Sequence, residues 1–369
     1  MTIYEELGLA KVINASGKMT ALGVSTIHAD TGKYMLEAAM SFVNIEALID
    51  KAGQVISEYT GGEDSCVTLG ASAGIAISVA SMISKGQMDI VERLPLSEGL
   101  ANEIIIQKGH CVNFGAPVNQ MVRLGGGVVK EVGHSNKTED FHIGNAINEN
   151  TAAILYIKSH HTVQKGMLSL EKVCEIASEK NIPVIVDAAA EEDLKRYLAI
   201  GADLVIYSGA KAIEGPTSGF ITGKSEKIKW CKLQYKGIGR AMKVGKENIM
   251  GFLRALQIYQ NKDKTTQALE NKKRMEVFIK NINQIKGLKG SVVKDEAGRE
   301  IYRAAIKVDE RVLGVNAEYI INELKKGSVQ IYVREHYSNL GIINIDPRPL
   351  QDKEEDIIYE RIAEIVNNI

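Results

Sequence analysis

The stretch VIYSGAKAIEGPTSGFITG, residues 205–223, ends an apolar run in a turn of small residues that holds one lysine. An amine that forms an imine must sit where backbone and partner approach closely, and Ser208, Gly209 and Ala210 leave that room beside Lys211. A loop lysine is by default a solvated charge, so its neighbours carry the argument. Upstream by 24 residues, NIPVIVDAAAEEDL places Asp187 at the carboxyl end of an apolar strand, where open α/β sheets collect ligand-binding groups. The interval has room for one helix and one strand, which sets Asp187 and Lys211 on neighbouring strand ends. A carboxylate there can pair with a pyridine nitrogen and keep it protonated; the plainer alternative is an aspartate capping the next helix. In TLGASAGIAISVASMIS a strand runs through a small-residue turn into a helix. The exposed N–H groups of that first turn, with the positive end of the helix dipole, can hold a phosphate, and Ser72 adds a hydroxyl. The motif is neither a Walker loop nor G-x-G-x-x-G, and packing alone could also select small residues there. Ser208 can donate a second hydrogen bond to the same phosphate.

An imine lysine, a carboxylate for a ring nitrogen and a phosphate cup are together what pyridoxal 5'-phosphate requires, covalently held on Lys211. EIIIQKGHCVNFGAPV puts His110 just past a strand, where an imidazole can lie over the cofactor ring and hydrogen-bond a substrate; for an isolated histidine a core or surface role is the usual alternative. His160 and His161 follow the strand AAILYIKS and share that logic as substrate contacts.

The elements that must position these groups are legible as patterns. Between about residues 65 and 225, the apolar runs CVTL, EIIIQ, AAILYI, PVIVD and DLVIYS alternate with helical stretches at Ser72–Ser84 and Leu170–Glu179. Strands apolar on both faces, alternating with helices, predict a parallel or mixed sheet covered by helices. Beyond it, helical spacing over Glu247–Gln260 and Ala268–Ile285 precedes strands at YRAAIKV, VQIYV and GIINI and helices at Ala317–Lys325 and Lys353–Asn367. The expected organisation is a large α/β domain over residues 1–245 and a small α+β domain over 246–369, with the seam on the helix starting near Lys246.

Charge narrows the partners. Lysine plus arginine total 45 against 46 acidic residues, so no overall field favours a polyanion, and a small-molecule partner is expected over nucleic acid. Cys66, Cys111, Cys174 and Cys231 are far apart with no C-x-x-C pair, which argues against a metal site and fits a reducing compartment. The N-terminus carries charges where a signal peptide needs an apolar core, and no run approaches the length that spans a bilayer. A cytoplasmic location without a membrane partner is the expectation.

VINASG, GASAGIAIS, IIIQKGH, IPVIVDAAAE and SGAKAIEGPTSGFITG, in that order, resemble the selenocysteine synthase (seryl-tRNA selenium transferase) superfamily of fold-type I pyridoxal-phosphate enzymes over most of the chain. The resemblance implies the aspartate-aminotransferase fold, Lys211 as the imine lysine and Asp187 as the pyridinium partner. It also implies Ser72, Ala73, Gly74 and Ser208 around the phosphate, His110 over the ring, and at least a homodimer with active sites at the subunit interface. Selenocysteine synthases proper begin with an additional tRNA-gripping domain, whereas VINASG here starts at Val12, which speaks against tRNA. With VDAAAE and GRAMKVGKENIMG the chain looks like the shorter D-glucosaminate-6-phosphate ammonia-lyases. In that reaction the substrate's C2 amine displaces Lys211, the freed amine takes the C2 proton, and the C3 hydroxyl leaves. Hydrolysis then gives ammonia and 2-keto-3-deoxy-6-phosphogluconate. Such a substrate needs fixed cations: Arg240, Lys243 and Lys246 for its phosphate, and Arg334 or Arg348 for its carboxylate, each weighed against an ordinary surface ion pair. The alternatives are β-elimination or exchange on a serine- or cysteine-type amino acid, and selenium transfer on seryl-tRNA.

Overall fold

The computed structural model describes residues 2–159, 161–295 and 299–369. The chain forms two compact units, one of Ile27–Asn261 and one that joins Met1–Thr26 to Lys262–Ile369. Both edges differ from the expected 1–245 and 246–369. Helix Lys246–Gln260 stays with the larger unit because Ile249, Phe252 and Leu256 bury into the same layer as Tyr207 and Phe220. The first residues leave it because strand β1, Lys11–Ala15, pairs in parallel with a strand near the C-terminus.

In the larger unit seven strands form one sheet: β2 (Asp64–Thr68), β3 (Glu103–Gln107), β4 (Val128–Val132), β5 (Thr151–Ile157), β6 (Val184–Asp187), β7 (Leu204–Ser208) and β8 (Gly219–Gly223). Their order is β2-β8-β7-β6-β5-β3-β4, with β8 antiparallel to both neighbours and the other pairings parallel. All seven residues of β5 are buried, as expected of a central strand covered on both faces. Alternation sends Ile154, Tyr156, Val184, Val186, Val205 and Tyr207 into one layer. It sends Leu155, Ile157, Ile185, Leu204 and Ile206 into the other, together with helix Ala71–Ser84. That helix is buried all along from Gly74 to Ser84, so small and apolar residues surround its axis instead of forming one stripe.

In the second unit β9 (Leu288–Lys294), β10 (Tyr302–Val308) and β12 (Ile342–Ile345) make an antiparallel sheet in the order β12-β10-β9, while β11 (Val329–Val333) is the partner of β1. Helices Lys264–Ile282, Ala317–Leu324 and Glu354–Asn367 bury Phe278, Ile320 and Ile358 against these strands. Among the described residues no helix is long and apolar enough to cross a membrane.

Candidate active site

The chemistry-bearing residues of the larger unit gather where β5, β6 and β7 end. Parallel register sets Ile157 beside Asp187 and Asp187 beside Ile206. The backbone binds these ends together: Lys158 N donates to Asp187 O at 2.8 Å, and Ala188 N to Ile206 O at 2.9 Å. Asp187 is 6% exposed, and its carboxylate accepts from Ala189 N at 3.1 Å, its one side-chain hydrogen bond among the described residues. Burial lifts the carboxyl from 3.8 to about 6, against the opposing pull of the Lys211 charge and the Ala189 N–H. A buried carboxylate with so few partners leaves acceptor capacity for a cation.

Lys211 is half-buried in the turn between β7 and β8. Gly209 N donates to Ser218 O at 2.9 Å and Gly215 N to Gly209 O at 2.8 Å, which folds this turn back on the start of β8. Ser208, the last residue of β7, is nearly buried. Helix Ala71–Ser84 begins at Gly70 with no side-chain cap, so the N–H groups of its first turn have no intrahelical acceptor. Ser72 is exposed at that end. A Cβ on Gly74 would lie 2.6 Å from Ile206 Cγ2; the missing side chain lets the helix start press onto β7, next to the strand end that carries Ser208.

His110 closes the short Lys108–His110 turn after β3 and is 1% exposed. Its Nδ1 accepts from Ile157 N at 3.3 Å, and its ring stands edge-on to Tyr156 with centroids 4.6 Å apart. Burial first, and the charge of Lys158 second, push the imidazole down to about 4. It is neutral near pH 7, and because Nδ1 is an acceptor the proton sits on Nε2.

The remaining expected residues scatter. His160 lies outside the described residues, and His161 is exposed, its N donating to Ser159 Oγ at 3.2 Å. Arg240 and Lys243 are exposed on and just after the turn Ile238–Met242, without ion-pair partners among the described residues. Lys246 departs from its expected phosphate role. Its Nζ donates to Ala38 O, to Ala39 O at 2.7 Å and to Ser41 O at 2.5 Å. Three carbonyls at the C-terminal end of helix Ala29–Ala39 occupy the ammonium, a favourable cation position on the helix dipole.

Arg334 and Arg348 belong to the second unit. Arg348 forks onto Asp346 at 2.9 and 2.8 Å, and Arg303 bridges Asp346 at 2.9 Å and Asp295 at 2.7 Å. Burial alone would raise the fully buried Asp346, but Arg348 and then Arg303 hold it well below the usual carboxylate range. Arg334 is half-buried; desolvation, then the charge of Arg303, lowers its pKa. Among the described residues, arginines 299, 303, 334 and 348 gather around two aspartates, Asp295 and Asp346. Sequence reasoning missed Asp295, Arg303 and Asp346, because nothing local marks a network that joins β10 to the segment after β12.

The sequence pattern of SelA, L-seryl-tRNA selenium transferase, matches residues 12–310. The chain belongs to this family. It is 47% identical to D-glucosaminate-6-phosphate ammonia lyase of Salmonella typhimurium (strain 14028s / SGSC 2262) over 99% of this chain and 98% of that protein. It is 40% identical to 5'-C-glycyluridine monooxygenase-decarboxylase of a Streptomyces species, over 98% of this chain and 92% of the other. A solved structure of D-glucosaminate-6-phosphate ammonia-lyase superposes with a TM-score of 0.94 at 47% identity, covering 100% of this chain and 99% of that one. An aspartate aminotransferase from Thermus thermophilus, at 14% identity and a TM-score of 0.57 over 98% and 93% of the two chains, shows the shared fold alone. The expected fold-type I architecture is therefore the one this SelA-family chain adopts.

Proposed function

We propose that this chain is a pyridoxal-5'-phosphate-dependent ammonia-lyase that converts D-glucosaminate 6-phosphate to 2-keto-3-deoxy-6-phosphogluconate and ammonia. The observation that carries the reading is the 47% identity along essentially the whole of both chains, in a protein whose Asp187 and Lys211 stand at neighbouring strand ends.

The residues present suit the cofactor. Lys211 Nζ would hold it covalently, Asp187 would pair with the ring nitrogen, and the first-turn N–H groups of Ser72 and Ala73, with Ser208, would take the phosphate; Gly74, expected beside them, has its own N–H spent on Gly70 O at 2.9 Å. When bound, the cofactor supplies a protonated pyridine ring that takes up the electron pair left at the substrate's α-carbon. Asp187 holds the ring-nitrogen proton in place. Lys211 Nζ removes the proton from substrate C2. His110 offers Nε2–H as a neutral donor, a role that its low pKa preserves throughout the neutral range. Water leaves across C2–C3 and returns when the C–N bond is hydrolysed, so the net change is loss of ammonia.

His161, with His160, contacts the substrate. Arg240 and Lys243 are the cations for its terminal phosphate. The working form is at least a homodimer in the cytosol. Two measurements test the reading. Borohydride reduction and peptide mapping should place a pyridoxyl label on Lys211, and a label elsewhere refutes the assignment. A panel of D-glucosaminate 6-phosphate, serine and cysteine derivatives and seryl-tRNA should yield ammonia and keto acid from the first; turnover confined to another member overturns the substrate.

A further inference from the structure

Gln107, the last residue of β3, has no part in the chemistry above, yet it is 2% exposed and spends both ends of its amide on one distant residue. Its Oε1 accepts from Leu168 N at 2.8 Å, and its Nε2 donates to Leu168 O at 3.2 Å. The side chain thus mimics one rung of a strand ladder, satisfying a backbone N–H and C=O that would otherwise be left without partners. Leu168 closes the loop that leaves β5 at Lys158 and carries His161; Ser169 then caps helix Leu170–Glu179. Two further ties bind the same loop to the turn after Gln107. Val163 N donates to Gly109 O at 3.0 Å. A Cβ on Gly109 would lie 2.7 Å from Met167 Sδ and 3.0 Å from Val163 Cβ, so a side chain there would make the loop give way where it meets the turn. Within the loop, Thr162 Oγ1 and Gln164 Nε2 both donate to Ser159 O, at 2.7 and 2.9 Å.

We infer that Gln107 is a positioning residue: its amide clamp on Leu168 holds the segment of residues 161–168 against the Lys108–His110 turn, so that His161 is presented to the substrate. The inference rests on the proposed lyase reading for its kinetic consequence and on the hydrogen bonds alone for its mechanical one, so the two are tested separately.

For the mechanical part, trypsin cleavage after the exposed Lys165 in the holoenzyme should become about tenfold faster in Gln107→Ala, the change expected when two part-buried hydrogen bonds are lost. Unchanged cleavage overturns the clamp whatever the substrate proves to be. For the kinetic part, Gln107→Ala should raise KM for D-glucosaminate 6-phosphate about tenfold while kcat and the visible cofactor absorbance stay put. In a His161→Ala background the same substitution should add little, because the residue acts through that loop. An equal rise in both backgrounds, or no rise, overturns the positioning role. Should Gln107→Ala lose its absorbance band, Gly109→Ala decides, since it pushes the same loop from the other side: a raised KM supports the inference, and wild-type constants overturn it. Wild-type protein that releases no ammonia, together with faster cleavage in Gln107→Ala, means that the clamp stands and the substrate reading fails.

Discussion

Asp187→Asn is expected to stabilise the cofactor-free protein while it nearly abolishes turnover. Burial raises the Asp187 carboxyl from its ordinary 3.8 to about 6. Each pKa unit is worth about 1.4 kcal/mol, so keeping the group ionised in the native state costs about 3 kcal/mol. Between pH 3.8 and about 6 the folded chain binds more protons here than the unfolded chain. Stability from this group therefore falls as pH rises through that window and stays lost above it. Asparagine keeps a carbonyl oxygen for the Ala189 N–H and carries no charge to desolvate. The variant should match the wild type below pH 4 and exceed it by about 3 kcal/mol at pH 7, a rise in Tm of about 6 to 12 °C for a unit of this size. Thermal unfolding of both apo-proteins from pH 3.5 to 8, read as the difference between them, cancels the titrations they share. A difference that does not change with pH refutes the buried-carboxylate argument. On its proposed role, Asp187 would also hold the proton on the cofactor's ring nitrogen, so activity should fall as stability rises.

His110 should stay neutral from pH 5 to 8 with its proton on Nε2, which nitrogen NMR of labelled protein reads directly; an Nδ1–H signal or titration near 6.5 contradicts the acceptance from Ile157 N. Its stability contribution has the opposite sign to that of Asp187: the folded pKa is depressed, so stability is gained as pH rises from about 4 to 6.5. Gly74→Ala should cost about 1–3 kcal/mol by overpacking against Ile206 and should weaken cofactor retention on dialysis; retention equal to wild type places the phosphate elsewhere. Lys246→Met should lower stability by about 1 kcal/mol through the lost helix cap and leave KM unchanged; a raised KM would restore this lysine to the substrate.

EIIIQ, AAILYI, PVIVD and DLVIYS are legible because they are interior strands of the sheet, continuous apolar runs buried on both faces; CVTL lies at its edge but reads the same way because helices bury it too. β4 escaped notice because VVKEV lies at a sheet edge, half exposed and half charged, and β8 because GFITG is bracketed by glycines that read as a turn. β9 is likewise an edge strand with alternate exposure. The strand-end positions of Asp187, Lys211 and His110 are legible because a residue at or just beyond a strand end is placed by local chain geometry. Long side chains are not: Lys246 reaches carbonyls more than 200 positions away, and Gln107 reaches Leu168. Their partners depend on tertiary packing, which spacing along the chain does not encode.

In the larger unit the two ends of the proposed cofactor site ask for opposite charges. Asp187 is a buried carboxylate short of a cation, and the uncapped start of helix Ala71–Ser84 is a set of N–H groups short of an acceptor. A ligand with a protonated ring nitrogen at one end and a phosphate at the other answers both, so affinity should reside in these two contacts more than in the covalent bond. Pyridoxine 5'-phosphate, which has no aldehyde, should therefore bind reversibly to wild type and to Lys211→Ala alike. Asp187→Asn should weaken it, and pyridoxine without the phosphate should bind poorly to all three. Calorimetry at pH 7.5 distinguishes the cases: if Lys211→Ala abolishes binding of the aldehyde-free analogue, the lysine is holding the ligand by contacts other than the bond, and the division of labour between the two ends is wrong.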